Sequence, residues 1–159
     1  MHKHRKEYVV GNDSQKVKSR LKETWHRMDG LYDFYAKSVG LNFTTIMVLQ
    51  LLYYSEKNQT QKKVCEKLGL PKQFVNSIIK SFWEQGFVKL KEAKDRRNKE
   101  IIVTDKGKEY AVKILTPLEV AECAAWDSFT DDEILSLSKG LEKYAVVFED
   151  ILKNLKSDK

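Results

Sequence analysis

The sequence is poor in the residues that staple and punctuate small folds: two cysteines, Cys65 and Cys123, two prolines and seven glycines in 159 residues. Two cysteines cannot build a disulfide framework, which points to a reducing compartment. So little glycine and proline disfavours turn-rich all-β folds, collagen-like repeats and long linkers. No apolar run approaches the length of a bilayer span, and the mean hydropathy is -0.53, so no membrane association is expected. The basic start, Met1 to Lys6, is not followed by an apolar segment. A secretory signal is therefore not expected, and the expected location is cytoplasmic. Histidine is scarce too. Of three, His2 and His4 lie in a basic leading tail, which leaves His26 as the one structured candidate for a general base. There is no His-Glu-x-x-His, no Cys-x-x-Cys, no glycine-rich phosphate loop and no nucleophile elbow. The acid pairs Asp131-Asp132 and Glu149-Asp150 fall at helix starts or on solvated faces. No enzymatic activity, metal or cofactor is expected.

What the chain does have is positive charge in one place. It carries 29 Lys/Arg against 23 Asp/Glu, a net +6. Residues 55–110 alone hold 14 Lys/Arg and 8 Asp/Glu, so the central third contains the whole excess. A solvated lysine-rich surface would explain this, and so would a polyanionic partner.

Periodicity organises the chain as helices around a short β segment. Residues 14–39 place Val17, Leu21, Trp25, Met28, Tyr32, Tyr35 and Val39 at steps of three and four, a long amphipathic helix that Asp13 or Ser14 starts and Gly40 ends. Residues 43–54 are apolar nearly all round, as in a helix buried on most sides. Residues 58–60 form a polar turn with a capping residue. Two short helices follow up to residue 86. Val64 and Leu68 point inward from the first, which Gly69 stops, and Pro71 opens the second, which turns Val75, Ile78, Ile79 and Phe82 inward. The pattern then becomes β-prone at 87–92 and 100–103, predicting a hairpin with a basic tip. Thr104 caps a helix from 105 to about 126, in which Pro117 either bends the axis or removes a hydrogen bond. Thr130 and Glu133 form a capping box for a last helix. Its stripe Ile134, Leu137, Leu141, Tyr144, Phe148, Ile151 and Leu155 keeps strict heptad spacing and calls for a partner helix.

Helix, helix, helix and basic hairpin is the winged helix-turn-helix plan. Within 61–80, Val64, Leu68, Leu70, Val75 and Ile78 occupy its apolar positions, small Cys65 sits where the helices touch, and Gly69 makes the turn. The wider run Gln85-Gly86-Phe87-Val88, then Asp95-Arg96-Arg97, then Val103-Thr104-Asp105-Lys106-Gly107 resembles the MarR family of bacterial transcriptional regulators, over roughly residues 14 to 155. The chain departs from that pattern at Phe74, where the family has a small hydroxyl residue, at Phe82-Trp83, and in the Phe-Val-Lys-Leu that follows Gly86.

The resemblance implies a mainly α fold with a small β-hairpin wing: a winged helix-turn-helix DNA-binding lobe at 42–104, flanked by dimerisation helices at 14–39 and 105–155. It implies that Lys72, Gln73, Asn76, Ser77 and Lys80 face the major groove of double-stranded DNA. Gln73 and Asn76 would pair with adenine edges, Ser77 with either kind of base, and the lysines with phosphate or guanine. Lys94, Asp95, Arg96, Arg97 and Lys99 form the wing's contact. Arg97 is suited to a narrow minor groove, Asp95 holds an arginine or the turn in shape, and Lys94 and Lys99 touch backbone. Phe74 either meets a thymine methyl or packs under the wing, and packing is expected. The long apolar stripes imply a homodimer and a palindromic operator. A small-molecule effector would sit against Trp25, His26, Tyr32, Tyr35 and Tyr53, which equally suit a plain aromatic core. A buried small residue accounts for Cys65 without redox chemistry. The expectation is a repressor. A winged-helix protein-interaction module and a non-specific architectural DNA binder are the alternatives.

Overall fold

The computed structural model describes residues 12–92 and 99–157. The chain divides into two compact units, one reaching to Leu115 and one starting at Thr116. In the first unit, α1 (Asn12–Ser38) is already helical at the first described residue, so Asp13 and Ser14 lie inside the helix rather than capping it. Its C-terminal third is held by packing: Ala36 is fully buried, and Tyr32 stacks on Phe43 at 4.7 Å between ring centres. Val17, Leu21, Trp25, Met28, Leu31 and Phe34 remain exposed. The following helix, α2 (Phe43–Tyr54), has the expected bounds. Asn42 caps it by accepting from the Thr45 N–H at 2.8 Å, and Ile46, Val48, Leu49 and Leu52 are buried.

Residues 58–60 are more than a polar turn. Gln59–Thr60 form β1, and Gln59 is buried. Thr60 does cap α3 (Gln61–Leu68), accepting from the Lys63 N–H at 3.3 Å. Gly69 takes φ 64, the left-handed conformation that ends a helix and that a Cβ disfavours, and Leu70 N–H donates back to Cys65 C=O. After Pro71 comes α4 (Lys72–Glu84). The β segment is β2 (Val88–Glu92) paired with β3 (Lys99–Val103), Leu90 opposite Ile101. β1 adds to the far side of β3, so the described sheet is three-stranded and antiparallel in the order β1-β3-β2. The hairpin expectation was thus one strand short.

The start of α5 (Asp105–Trp126) locks the unit together. The Thr104 hydroxyl donates to Gly86 C=O at 2.7 Å and accepts from the Gly107 N–H at 3.0 Å, while the Thr104 N–H donates to Phe87 C=O at 3.0 Å. Here the helix passes so close to the Phe87 backbone that a Cβ on Gly107 would stand 2.0 Å from its carbonyl oxygen. The Phe87 ring stacks on Tyr110 at 4.1 Å and meets Phe82 edge-on, and the Lys106 ammonium sits 5.4 Å over it while donating to Gln85 C=O at 2.8 Å. Tyr35 donates its hydroxyl to Ile114 C=O, joining α1 to α5. Burial raises the Tyr35 and Tyr110 phenols above the ordinary tyrosine range, so both stay neutral at physiological pH.

The second unit contains the rest of α5 and α6 (Asp131–Ser157). Pro117 does not end α5, which continues to Trp126. Having no N–H, it leaves the carbonyl four residues earlier without its helical donor. The capping box forms as expected: the Thr130 N–H donates to Glu133 Oε2 at 2.9 Å, and the Glu133 N–H donates to Thr130 Oγ1 at 3.3 Å. The whole heptad stripe of α6 is exposed.

Unfolding and titration experiments test these contacts. Gly107→Ala should cost about 3 kcal/mol or more in urea denaturation, since backbone must move to admit the methyl group. Gly30→Ala, which meets nothing within 4 Å in the middle of α1, should instead stabilise by about 0.5–1 kcal/mol. The Thr130 backbone N–H, followed by its hydroxyl, holds the Glu133 carboxyl below the usual glutamate range. Its contribution to stability is therefore present above the unfolded-state value and lost as pH falls through the folded one. Carboxyl chemical-shift titration should show a low Glu133 midpoint. Thr130→Ala should move that midpoint part of the way back, because the backbone donor remains.

Candidate nucleic-acid interface

The helical period of α4 sorts its side chains. Val75, Ile79 and Phe82 are buried and Ile78 is half-buried, which turns Lys72, Gln73, Asn76, Ser77 and Lys80 to the exposed side. All five therefore share one accessible surface. The first turns of α2, α3 and α4 carry no acidic residue, whereas those of α1, α5 and α6 all do. The N–H groups at the start of α3 and α4 thus keep an uncompensated positive end. Lys80 lies 3.7 Å from Glu84 and Lys62 3.8 Å from Glu66, both exposed pairs that a phosphate can replace at little cost.

Tertiary structure adds neighbours that no sequence pattern announces. A groove of about 580 Å³ is lined by Gln61, Lys62, Cys65 and Glu66 of α3, Lys72 of α4, Leu90 of β2 and Lys99 of β3. Lys72 and Lys99 are thus brought together, with Lys62 as a third cation. Across the helix pair, Gln61 Nε2 donates to Asn76 Oδ1 at 3.2 Å. Fifteen positions separate the two residues, and neither spacing nor composition pairs them. Lys94, Asp95, Arg96 and Arg97 lie outside the described residues. Lys99 is exposed at the start of β3, opposite Glu92.

Phe74 corrects an expectation. It is 54% exposed on α4 rather than packed under the wing, because the buried side of the helix is already filled by Val75, Ile79 and Phe82. Trp83 is similarly exposed.

The five aromatic and histidine candidates occupy separate surroundings. Trp25 and His26 are on the exposed stretch of α1, and Tyr32 and Tyr35 are half-buried where α1 meets α2 and α5. Tyr53 contacts Tyr54 edge-on and lines a cavity of about 660 Å³ with Leu52, Ser55, Ile102 and Lys108, to which the other four do not contribute. Cys65 is half-buried and Cys123 exposed. Among the described residues, no three His, Cys, Asp or Glu side chains are grouped to hold a metal ion, and no helix is long and apolar enough to cross a membrane.

Comparison with known proteins agrees with this geometry. The family model described as MarR family matches residues 39–98. No curated protein sequence matches. Among solved structures, NMB1585, a MarR family regulator from Neisseria meningitidis, is 27% identical, with a TM-score of 0.71 over 94% of this chain and 100% of that one. MepR of S. aureus in its DNA complex is 15% identical, with a TM-score of 0.66 over 82% of this chain and 96% of that one. CouR of Rhodococcus jostii RHA1, bound to p-coumaroyl-CoA, is 19% identical, with a TM-score of 0.63 over 81% and 91%.

The two phenylalanines of α4 should respond oppositely to truncation. Phe82→Ala empties a core position and should cost about 3–5 kcal/mol in urea denaturation. Phe74→Ala should change stability by no more than about 0.5 kcal/mol.

Proposed function

From the match of the MarR family model to residues 39–98 and the likeness of the fold to solved MarR regulators, we propose that the chain is a MarR-type regulator: a homodimeric, sequence-specific DNA-binding repressor acting on a palindromic operator in the cytoplasm. The observation that carries this reading is the polar face of α4, whose first turn holds no acid, beside the groove that joins Lys62, Lys72 and Lys99, in the part of the chain that holds its whole charge excess. Lys72, Gln73, Asn76, Ser77 and Lys80 enter the major groove. Lysines and the open helix ends take phosphates, while Gln73, Asn76 and Ser77 take base edges. Lys99, together with Lys94, Arg96 and Arg97 of the wing motif, extends the contact along the duplex, with Arg97 in the minor groove. The solved MepR complex with DNA supports this use of the fold.

Residues 42–104 form the DNA-binding lobe, and 14–39 with 105–155 the dimerisation helices. Support for the dimer comes from exposed apolar surface. Val17, Leu21, Trp25 and Met28 on α1, and the stripe from Ile134 to Leu155 on α6, are too extensive for a monomeric surface. A second copy covers them and sets two α4 helices about 34 Å apart, one turn of DNA. A small-molecule effector modulates binding through Trp25, His26, Tyr32 and Tyr35 along α1 or through Tyr53 at its separate cavity, a reading supported by the CouR structure bound to p-coumaroyl-CoA. Binding, not turnover, is the chemistry of this surface.

Selection of bound duplexes from a random pool tests the reading. It should return a two-fold symmetric site whose affinity falls steeply with salt. Arg97→Ala should flatten the salt slope by about one unit. Equal binding to any duplex would favour the architectural binder. If Arg97→Ala and Asn76→Ala both leave DNA binding untouched, the protein-interaction module is the correct description.

A further inference from the structure

Asn76, a base-reading candidate on α4, has its side-chain amide bonded to a residue of another element. Gln61, the first residue of α3, gives its Nε2 hydrogen to Asn76 Oδ1 at 3.2 Å. An asparagine amide has two unlike ends, an acceptor oxygen and a donor NH₂. Bidentate pairing with adenine needs both ends presented to the base, the oxygen to N6–H and the NH₂ to N7. Here the oxygen is turned back toward α3, and the NH₂ is left for whatever lies over α4. We infer that Gln61 is a specificity-determining positioning residue: by holding Asn76 Oδ1 it presents Nδ2 outward as a pure donor. Asn76 then selects edges that offer acceptors alone, guanine N7/O6 or thymine O4, over adenine, whose N7 can accept but whose N6–H₂ meets no acceptor, and over cytosine, which offers N4–H₂. The inference rests on the DNA-binding reading above and refines it at one operator position.

The neighbouring groups are compatible with this. Gln61 is half-buried and Asn76 exposed, so the pair lies where a bound duplex would exclude water and strengthen the bond. No acidic side chain stands in the first turn of α3 or α4 to compete for the two amides.

The geometry makes an inversion testable. In Gln61→Glu the side chain can only accept, so it would take Asn76 Nδ2–H and turn Oδ1 outward. An acid at this position also suits the positive end of α3, so the variant should fold with unchanged circular dichroism and melting temperature. The experiment is selection from a random duplex pool with the full chain, its Asn76→Ala variant, Gln61→Glu and Gln61→Ala. Asn76→Ala identifies the operator position that Asn76 reads, as the one whose preference it erases. At that position the natural chain should favour guanine or thymine about tenfold, and Gln61→Glu should reverse the preference toward adenine or cytosine. Gln61→Ala should cut it below about threefold, and all other positions should be unchanged. In an Asn76→Ala background Gln61→Glu should have no effect on base choice, which separates positioning from a general loss of affinity through added charge. If the natural chain enriches a site but Gln61→Glu and Gln61→Ala keep its preference at the Asn76 position, or if the natural chain favours adenine or cytosine there, the inference is overturned and the DNA-binding function stands. If the natural chain enriches nothing, the functional reading itself falls.

Discussion

The backbone of Phe87 lying directly against Gly107 is the contact on which the first compact unit depends. Three elements meet there within a few residues: the end of α4, the first residue before β2 and the first turn of α5. A hydrogen atom is the largest substituent that position 107 accepts, and the Thr104 hydroxyl ties together the carbonyl of Gly86 and the N–H of Gly107. Phe87, fixed by that backbone, then presents its ring between Tyr110 and Phe82. The direction of α4 is thereby set from its C-terminal end by stacked aromatics, its Ser81, Phe82 and Trp83 carbonyls accept from the Gln85, Phe87 and Gly86 N–H groups, and Lys106 donates to the Gln85 carbonyl just beyond. The Thr-x-x-Gly spacing that marks this segment in sequence is thus a close-packing requirement. It says nothing about DNA by itself, but it fixes the direction in which the polar face of α4 is presented.

What could be read beforehand follows the range of the forces involved. Helix bounds set by local chemistry were legible: α2 at 43–54, the Thr60 cap, the Gly69 turn, the Thr104 start and the Thr130–Glu133 box all depend on residues within four positions of one another. β1 was not legible. Two residues carry no alternating pattern, and Gln59–Thr60 become a strand only because β3, some forty residues later, offers an edge. Phe74 was misread for a related reason. Its size suggests burial, but helical phase decides, and Val75, Ile79 and Phe82 already fill the inward side. For Pro117 the sequence left open a bent axis or a lost hydrogen bond, and α5 continues through it to Trp126 without the donor that proline lacks.

The exposed surface separates by chemistry along the chain. In α4 the accessible side is mostly amide, hydroxyl and ammonium, with Phe74 and Trp83 as its two large apolar members, whereas in α1 before residue 36 and throughout α6 it includes long rows of Val, Leu, Ile, Trp and Phe. Phe34 is 73% exposed and Leu155 63%, values at which apolar side chains gain little from their own chain. An uninterrupted three-and-four repeat of this kind is specific in shape as well as in polarity, since it fits the side of another helix and little else. The same periodicity that identifies these helices in sequence is therefore an argument about assembly. The polar surface of α4 gives no comparable signal, because exposed polar residues are the ordinary state of a helix surface.

For that polar surface, a residue-by-residue code is insufficient. Asparagine on a recognition helix is commonly matched to adenine because its amide can do two things at once, yet which of them it does is decided by its surroundings before any base arrives. In the proposed arrangement, Gln61 supplies that decision from a different helix, through a single hydrogen bond across the α3–α4 turn. The turn itself brings the two together: Gly69 and Pro71 bring the start of α3 alongside the first turns of α4, so any donor at position 61 faces whatever stands at 76. Base preference in such a lobe then belongs to a pair of residues, and exchanging one while keeping the other can change the sense of the readout without moving the backbone.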